Sequence, residues 1–233
     1  MSHKHPDITV VIPVREGSSR IKEKVLLPFV DGKNLLEWKI DQLLKVQDPA
    51  LIVVSTNSEK LMEIARARGV SIHRREDILC DGHKASFSEV ITGVVRDIRT
   101  PHFAWVPVVV PLMGPGDYKA AFDAYAEQVV KGGLYDSLVA VNLMKEYLWD
   151  DEGPINYKAD RNHTISQDLP NIYRVTNGLY MSSTEQALKL GYFLGPNPLR
   201  FKVGKIAGID IDEWEDYEMT LSLHSFYKGE IRI

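Results

Sequence analysis

Apolar and polar positions along the chain switch between a strand-like and a helix-like period, and the switches mark its elements. Ile8 to Val14 is a β-branched run ending in a polar, glycine-containing segment, the pattern of a buried first strand entering a loop. Asn34 and Glu37 stand at capping-box spacing, and Leu36, Ile40, Leu43 and Leu44 then recur on one helical face. Leu51 to Ser55 predicts the next strand. Ser58 is placed to cap a helix with Leu61, Ile64 and Ala65 on one face, and Gly69 stands where a C-terminal cap belongs. A strand near Val70 to His73 follows, then a helix opened by a Ser86/Glu89 box that carries Val90, Val94 and Ile98, then the apolar run Phe103 to Val110. This alternation predicts an α/β fold, a mainly parallel sheet covered by helices on both faces.

The second half predicts a helix near Asp117 to Val130 and a strand near Ser137 to Leu143. From Lys145 to Thr176 the chain turns polar and irregular, too long for a simple connection, which predicts an arm, lid or subunit contact. Leu179 to Ser182 resumes the sheet, a Ser183/Gln186 box opens another helix, and Phe201 to Val203 with Ile209 to Ile211 lead into the last one. The organisation expected is a single domain over residues 1–233 with 145–176 as an inserted arm.

Composition narrows the class. The 233 residues are 44% hydrophobic and 26% charged, enough apolar surface for a sizeable core. With 28 Lys and Arg against 32 Asp and Glu the net charge is −4, so no basic excess exists to drive binding to a nucleic-acid backbone. Cys80 is the only cysteine, and Met1 to Val10 lacks a signal-like apolar stretch, which fits a reducing cytoplasm. The apolar run Phe103 to Met113 contains two prolines and falls short of a membrane span.

Chemistry concentrates at two places. The first loop holds Arg15, Gly17, Ser18, Ser19, Arg20, Lys22 and Lys24, four cations and two hydroxyls directly after a strand. Phosphate suits it, because successive backbone N–H groups form an anion nest and Arg or Lys add charge-assisted hydrogen bonds; a solvated basic loop is the plain alternative. Neither a GxGxxG after the first strand nor a P-loop is present. Late in the chain, Ile209-Asp210-Ile211-Asp212 puts two carboxylates on one side of an extended segment, a pair suited to Mg²⁺, which commonly takes one or two carboxylates and completes its shell from substrate phosphates. Asp212 with Glu215 also fits an N-cap of the last helix.

These two features together resemble the cytidylyltransferases that activate acidic sugars, the CMP-N-acetylneuraminate and CMP-Kdo synthetases. Their segment Ile-Pro-Ala-Arg-x-x-Ser-(Lys/Thr)-Arg-(Ile/Leu)-Pro-Gly-Lys is similar to Ile12-Pro13-Val14-Arg15-Glu16-Gly17-Ser18-Ser19-Arg20-Ile21-Lys22-Glu23-Lys24. Ser55-Thr56-Asn57, Arg75 with Leu79, Pro111-Leu112, Asn177-Gly178-Leu179-Tyr180, the aromatic pair Tyr192-Phe193 and Asp210-Ile211-Asp212 follow in the family's order. The resemblance implies a Rossmann-like three-layer nucleotidyltransferase fold with a dimerisation arm. It also implies a homodimer and an enzyme that transfers CMP from CTP to an acidic sugar, a ulosonic or nonulosonic acid, with release of pyrophosphate.

By position, it assigns Arg15 and Lys24 to the triphosphate, with Gly17, Ser18, Ser19 and Arg20 in the nucleotide loop. Arg75 and Ser86 fall to cytosine, Asp210 and Asp212 to Mg²⁺, and Met113, Asn177, Tyr192 and Phe193 to the acceptor. The local readings are plainer: Ser86 as a helix cap, Arg75 as a surface cation, Asn177 as a turn residue, Tyr192 and Phe193 as core. Departures cluster on the acceptor side. Pro107-Val108-Val109-Val110-Pro111-Leu112-Met113 stands where the family has Gln-Pro-Thr-Ser-Pro-Leu-Arg, and Ser166 stands where its arm supplies an arginine, leaving Arg161 or Arg174 as substitutes. Other acceptors, such as a phosphonate, and a glycosyltransferase that holds a nucleotide sugar through Asp-x-Asp remain as alternatives.

Overall fold

The computed structural model describes residues 5–17, 21, 23–82 and 84–225. Four strands, β1 (Ile8–Pro13), β2 (Ile52–Thr56), β3 (Ser71–Arg74) and β4 (His102–Trp105), are mutually parallel in the order β3-β2-β1-β4. Helices α1 (Leu35–Leu43), α2 (Glu59–Ala67) and α3 (Phe87–Val95) lie between them in sequence, and α4 (Pro115–Tyr125) follows β4. Strand β5 (Ser137–Met144) leads to a small hairpin of β6 (Trp149–Asp150) and β7 (Gly153–Pro154), then to the long strand β8 (Ile172–Ser183). The sheet continues β4-β8-β5-β9, with β8 antiparallel to both neighbours and β9 (Pro198–Lys202) parallel to β5. Helix α5 (Thr184–Leu190) follows β8, and α6 (Trp214–His224) follows β9.

The period-2 alternation of β1 explains the layering. Val10 and Ile12 are wholly buried on one face with Leu36 and Ile40 of α1, Leu61 of α2 and Phe122 of α4. Val11 is buried on the other face with Ile91 and Val94 of α3 and Ala187 of α5. A fully buried aliphatic side chain of this kind contributes roughly 1.5–3 kcal/mol. The helix starts are set locally. Asn34 accepts from the Glu37 N–H at 2.9 Å while Glu37 accepts from the Asn34 N–H at 2.9 Å, and a cap of this kind stabilises by about 1 kcal/mol.

Four expectations shift. Strand β4 stops at Trp105, because Pro107 and Pro111 lack the N–H that a continuing ladder needs, and the rest of the apolar run forms a loop over 106–113 in which Val108 and Val110 stay buried. Strand β8 takes in residues 172–176, so the irregular excursion ends at 171. Residues 209–212 form no strand, although Ile211 is fully buried between two partly exposed aspartates. The N-cap of α6 is Glu213, not Asp212: Asp216 accepts from the N–H groups of both Asp212 and Glu213 at 2.9 Å, which leaves the Asp212 carboxylate out of the cap.

After β1 the chain goes to β2 on one side, and after β3 it returns to β4 on the other. The carboxyl ends of β1 and β4 therefore border the crevice where a sheet of this topology accepts ligands.

Candidate active site

Two arginines meet at the end of β1. Arg75, just past β3, is 5% exposed; its Nη2 donates to the Val14 carbonyl at 2.6 Å and its Nε to Cys80 Sγ at 3.0 Å. Burial draws the Arg75 pKa below its ordinary value, Cys80 opposes that, and the Arg15 charge adds to it. Arg15 donates from Nη1 to the Cys80 carbonyl at 2.8 Å. Gly82 lies so close that a Cβ there would stand 2.9 Å from both Nη1 and Nη2 of Arg15.

Two depressions bordered by described residues include Arg15. The larger, about 670 Å³, is lined among the described residues by Arg15 together with Glu16, Glu59, Asp77 and Asp81. The smaller, about 340 Å³, is lined by Arg15 and Arg75 together with Leu79, Phe87, Val90 and Trp105, with no carboxylate among the described residues that line it. Apolar walls with two convergent guanidinium groups suit a planar, anionic ligand. Its aromatic wall continues inward. Phe193, 1% exposed, lies 5.5 Å from Phe87, 6.2 Å from Trp105 and 4.1 Å from Tyr180 between ring centroids.

Tyr180 leads to the carboxylates. Between Val139 and Val141 of β5 the register to β8 slips from Tyr180 to Val175, so residues 176–179 bulge from the ladder. Asn177 sits in this bulge with φ 55°, a left-handed conformation that asparagine tolerates better than most residues, and bulges commonly re-aim side chains beside active sites. Asn177 Nδ2 donates to Asp210 Oδ2 at 2.7 Å, and the Tyr180 hydroxyl donates to Asn177 Oδ1 at 2.5 Å. Asp210 Oδ1 is buried without a partner. Burial raises the Asp210 pKa above its ordinary range; the Asn177 hydrogen bond opposes this, Asp212 reinforces it and Lys24 opposes it again. Lys24, 7% exposed, donates to the Ile211 carbonyl at 2.6 Å and to Asp212 Oδ1 at 3.5 Å.

The structure thus brings Lys24, Asp210, Asp212 and Asn177 to one locus, and Arg15 and Arg75 to an adjoining one. Gly17 is exposed beside Arg15, whereas Ser18, Ser19 and Arg20 lie outside the described residues. The Ser86 hydroxyl accepts from the Glu89 N–H at 3.2 Å and donates to its carboxylate at 2.7 Å, so it serves the cap of α3. Tyr192 is 40% exposed and stacks on buried Phe193 at 4.6 Å. Met113 is not brought to a cleft: it is 0% exposed, and a Cβ on Gly178 would stand 2.8 Å from its sulfur. Arg174, from the arm side, donates to Asn142 Oδ1 at 2.9 Å and to the Gly208 carbonyl at 3.4 Å, while Ser166 and Arg161 are exposed.

Sequence reading missed two residues here. Tyr180 was legible only as part of a motif. Lys39 carries no signal in the sequence, yet it is 0% exposed and its ammonium donates to Tyr118 Oη at 2.7 Å, the Val110 carbonyl at 2.9 Å and the Met113 carbonyl at 3.4 Å. Burial lowers its pKa to about 7, against the pull of Asp117. Ser55, His73 and Asp97 also hydrogen-bond in series at 2.9 and 3.0 Å, but Ser55 is wholly buried, so the series ties β2 to β3 and offers no nucleophile to a substrate.

Residues 9–100 match the cytidylyltransferase family model. Over 227 residues the chain is 26% identical to the N-acylneuraminate cytidylyltransferase of Streptococcus agalactiae serotype V, covering 95% of this chain and 54% of that protein. Its sequence is thus similar to those of N-acylneuraminate cytidylyltransferases. It spans about half the length of the curated relatives it matches. Among solved structures, CMP:2-keto-3-deoxy-manno-octonic acid synthetase complexed with CTP superposes with a TM-score of 0.64 at 14% identity, covering 94% of this chain and 98% of that one. The 4-diphosphocytidyl-2C-methyl-D-erythritol synthase of Anaerococcus prevotii superposes at 0.62 with 9% identity, covering 94% and 97%. These likenesses establish the Rossmann-like nucleotidyltransferase fold, a mixed and mostly parallel sheet with helices. Among the described residues no helix is long and apolar enough to cross a membrane.

Proposed function

We propose that the chain is a Mg²⁺-dependent cytidylyltransferase: an oxygen of an acidic sugar attacks the α-phosphorus of CTP, the bond to the β-phosphate breaks, and a CMP-linked sugar and pyrophosphate result. One observation carries this reading. A cavity lined by Arg15 and Arg75 is joined, through the wall of Phe87, Trp105, Phe193 and Tyr180, to a locus holding Lys24, Asp210 and Asp212. The sugar-acid class of acceptor is supported by what the curated relatives are named for.

In this reading Arg15 and Arg75 bind the nucleotide, the apolar wall of their cavity accepts the planar base, and Lys24 neutralises phosphate charge. Phosphoryl transfer gains most from positioning and charge neutralisation, so no protein nucleophile is required. Asp210 and Asp212 fit a divalent cation on chemistry as well as place, since a buried carboxylate oxygen without a partner is costly unless something positive meets it. Mg²⁺ commonly takes one or two carboxylates and completes its shell from substrate phosphates, so this pair would suffice. A bound Mg²⁺ would neutralise and orient the phosphates.

The wider setting follows the same reading: one catalytic unit working in the cytoplasm as a homodimer. Trp149, Ile155 and Ile165 on the irregular segment are 62%, 56% and 56% exposed, the apolar anchors that a second copy would cover. The test is CTP, UTP, ATP and GTP, each with Mg²⁺ and a panel of ulosonic acids and phosphonates, with the product identified by mass spectrometry. A CMP-linked ulosonic acid from CTP alone is expected. Equal turnover of UTP or ATP contradicts the cytidine assignment, and a CMP-phosphonate from a phosphonate acceptor moves the acceptor class.

A further inference from the structure

Asn177 stands where an acceptor contact was expected, yet both ends of its amide are engaged within the protein. Its Nδ2 donates to Asp210 Oδ2 at 2.7 Å, and its Oδ1 accepts from the Tyr180 hydroxyl at 2.5 Å. The backbone is shaped for this. Residues 176–179 leave the β5 ladder as a bulge, Asn177 takes φ 55°, and its amide reaches a carboxylate 33 residues later in the chain. Tyr180 is held from the other side, its ring 4.1 Å from that of buried Phe193 at an interplanar angle of 30°, with 7% of its surface exposed. The hydroxyl therefore has a fixed origin and a fixed target.

We propose that Tyr180 and Asn177 are positioning residues that lock the Asp210 carboxylate by one oxygen, so that the other oxygen is presented, unpartnered, to a divalent cation. This deepens the cytidylyltransferase reading and rests on its assignment of Asp210. The amide fixes Asp210 because it donates to a single oxygen, and the tyrosine fixes the amide because only one flip of Asn177 turns Nδ2 toward Asp210 and Oδ1 toward the hydroxyl. Without the hydroxyl the Asn177 oxygen loses its donor, and the amide is held only by the carboxylate it is meant to fix. The arrangement also ties the carboxylate to the aromatic wall, through the contact of Tyr180 with Phe193.

The test reads cation affinity directly, by titrating Mn²⁺ into the protein and following free Mn²⁺ by electron paramagnetic resonance. The set is the unaltered protein, Asp210→Asn, Tyr180→Phe, Asn177→Gly and the double variant. Tyr180→Phe keeps the ring on Phe193 and removes only the hydroxyl; Asn177→Gly keeps the positive φ and removes only the amide. Thermal melting of each variant establishes that it is folded. Asp210→Asn should remove the Asp210-dependent Mn²⁺ binding. Tyr180→Phe should weaken it two- to tenfold, the range for a lost neutral hydrogen bond, and Asn177→Gly at least as much. In the double variant the loss should equal that of Asn177→Gly alone, because the hydroxyl acts through the amide. Unchanged affinity in Tyr180→Phe, or losses that add in the double variant, would overturn the relay. If the affinities behave as stated but no CTP-dependent pyrophosphate release is found with any acceptor, the enzymatic reading fails and the relay stands.

Discussion

The ammonium of Lys24 donates to the main-chain carbonyl of Ile211 at 2.6 Å, 187 positions further along the chain. That one bond fastens the loop after β1 to the segment carrying Asp210 and Asp212, on either side of the residue whose carbonyl it takes. A charged hydrogen bond of this kind contributes about 1.5–3 kcal/mol, and its loss also leaves a buried carbonyl without a donor. Lys24→Met, close in length and without a donor, should therefore lower the urea midpoint and cut kcat about a hundredfold. A variant that keeps both values would show that Lys24 holds neither loop nor phosphate.

Lys39 makes a pH signature. Its pKa in the folded chain, about 7, lies below the ordinary lysine value of 10.5, so over that window the unfolded state binds more protons and stability rises with pH. The contribution is on the order of 5 kcal/mol across the full window, with the cost of burying the charge fully present below pH 7 and gone above 10.5. Urea midpoints between pH 6 and 9 should climb for the native chain relative to Lys39→Met. A parallel pH dependence in the two proteins would mean that Lys39 keeps an ordinary pKa.

Met113 is fully buried against Gly178, so putting an arginine there places a charge in the core. Met113→Arg should lose several degrees or more of melting temperature and gain no activity toward N-acetylneuraminate. A folded variant with improved sialate turnover would put this side chain back at the acceptor.

Gly208 precedes Asp210 by two residues and Asp212 by four. A Cβ there would stand 2.6 Å from Asn142 Oδ1 and 2.7 Å from Thr176 Cγ2. Neither neighbour yields readily: Asn142 holds the carbonyls of Val203 and Gly204 at 2.9 and 3.0 Å, and Thr176 is 1% exposed. Gly208→Ala should shift Asp210 and reduce kcat roughly tenfold or more, since a misplacement of about 1 Å in a reacting constellation costs on the order of a hundredfold. The KM for CTP should change little, because the two-arginine cavity lies elsewhere; a raised KM with normal kcat would contradict this.

The elements whose rules are local were legible in the sequence. Capping residues Asn34, Ser58, Ser86 and Ser183 stand where their helices begin, and the alternating burial of Val10, Val11 and Ile12 follows from β-branched residues in a two-sided sheet. What depends on distant partners was not. Phe103 to Val110 reads as one strand by hydrophobicity, but two prolines end the ladder at Trp105. Burial of Lys39 depends on carbonyls 71 and 74 positions away, and no periodicity reports that. Asn177 read as a turn residue beside glycine; that its amide joins Tyr180 to Asp210 depends on a register slip between β5 and β8, which no single segment encodes.

The central claim is that the Asp210 locus and the two-arginine cavity act together on CTP. Pyrophosphate release from CTP and Mg²⁺ in the presence of the preferred ulosonic acid tests it most directly, measured for the native chain, for the native chain in EDTA, and for Asp210→Asn. The native rate should be abolished by EDTA and lowered about a hundredfold or more by the substitution, which removes a charge but little volume. Release that persists in EDTA, or an Asp210→Asn variant as fast as the native chain at limiting Mg²⁺, would contradict the account.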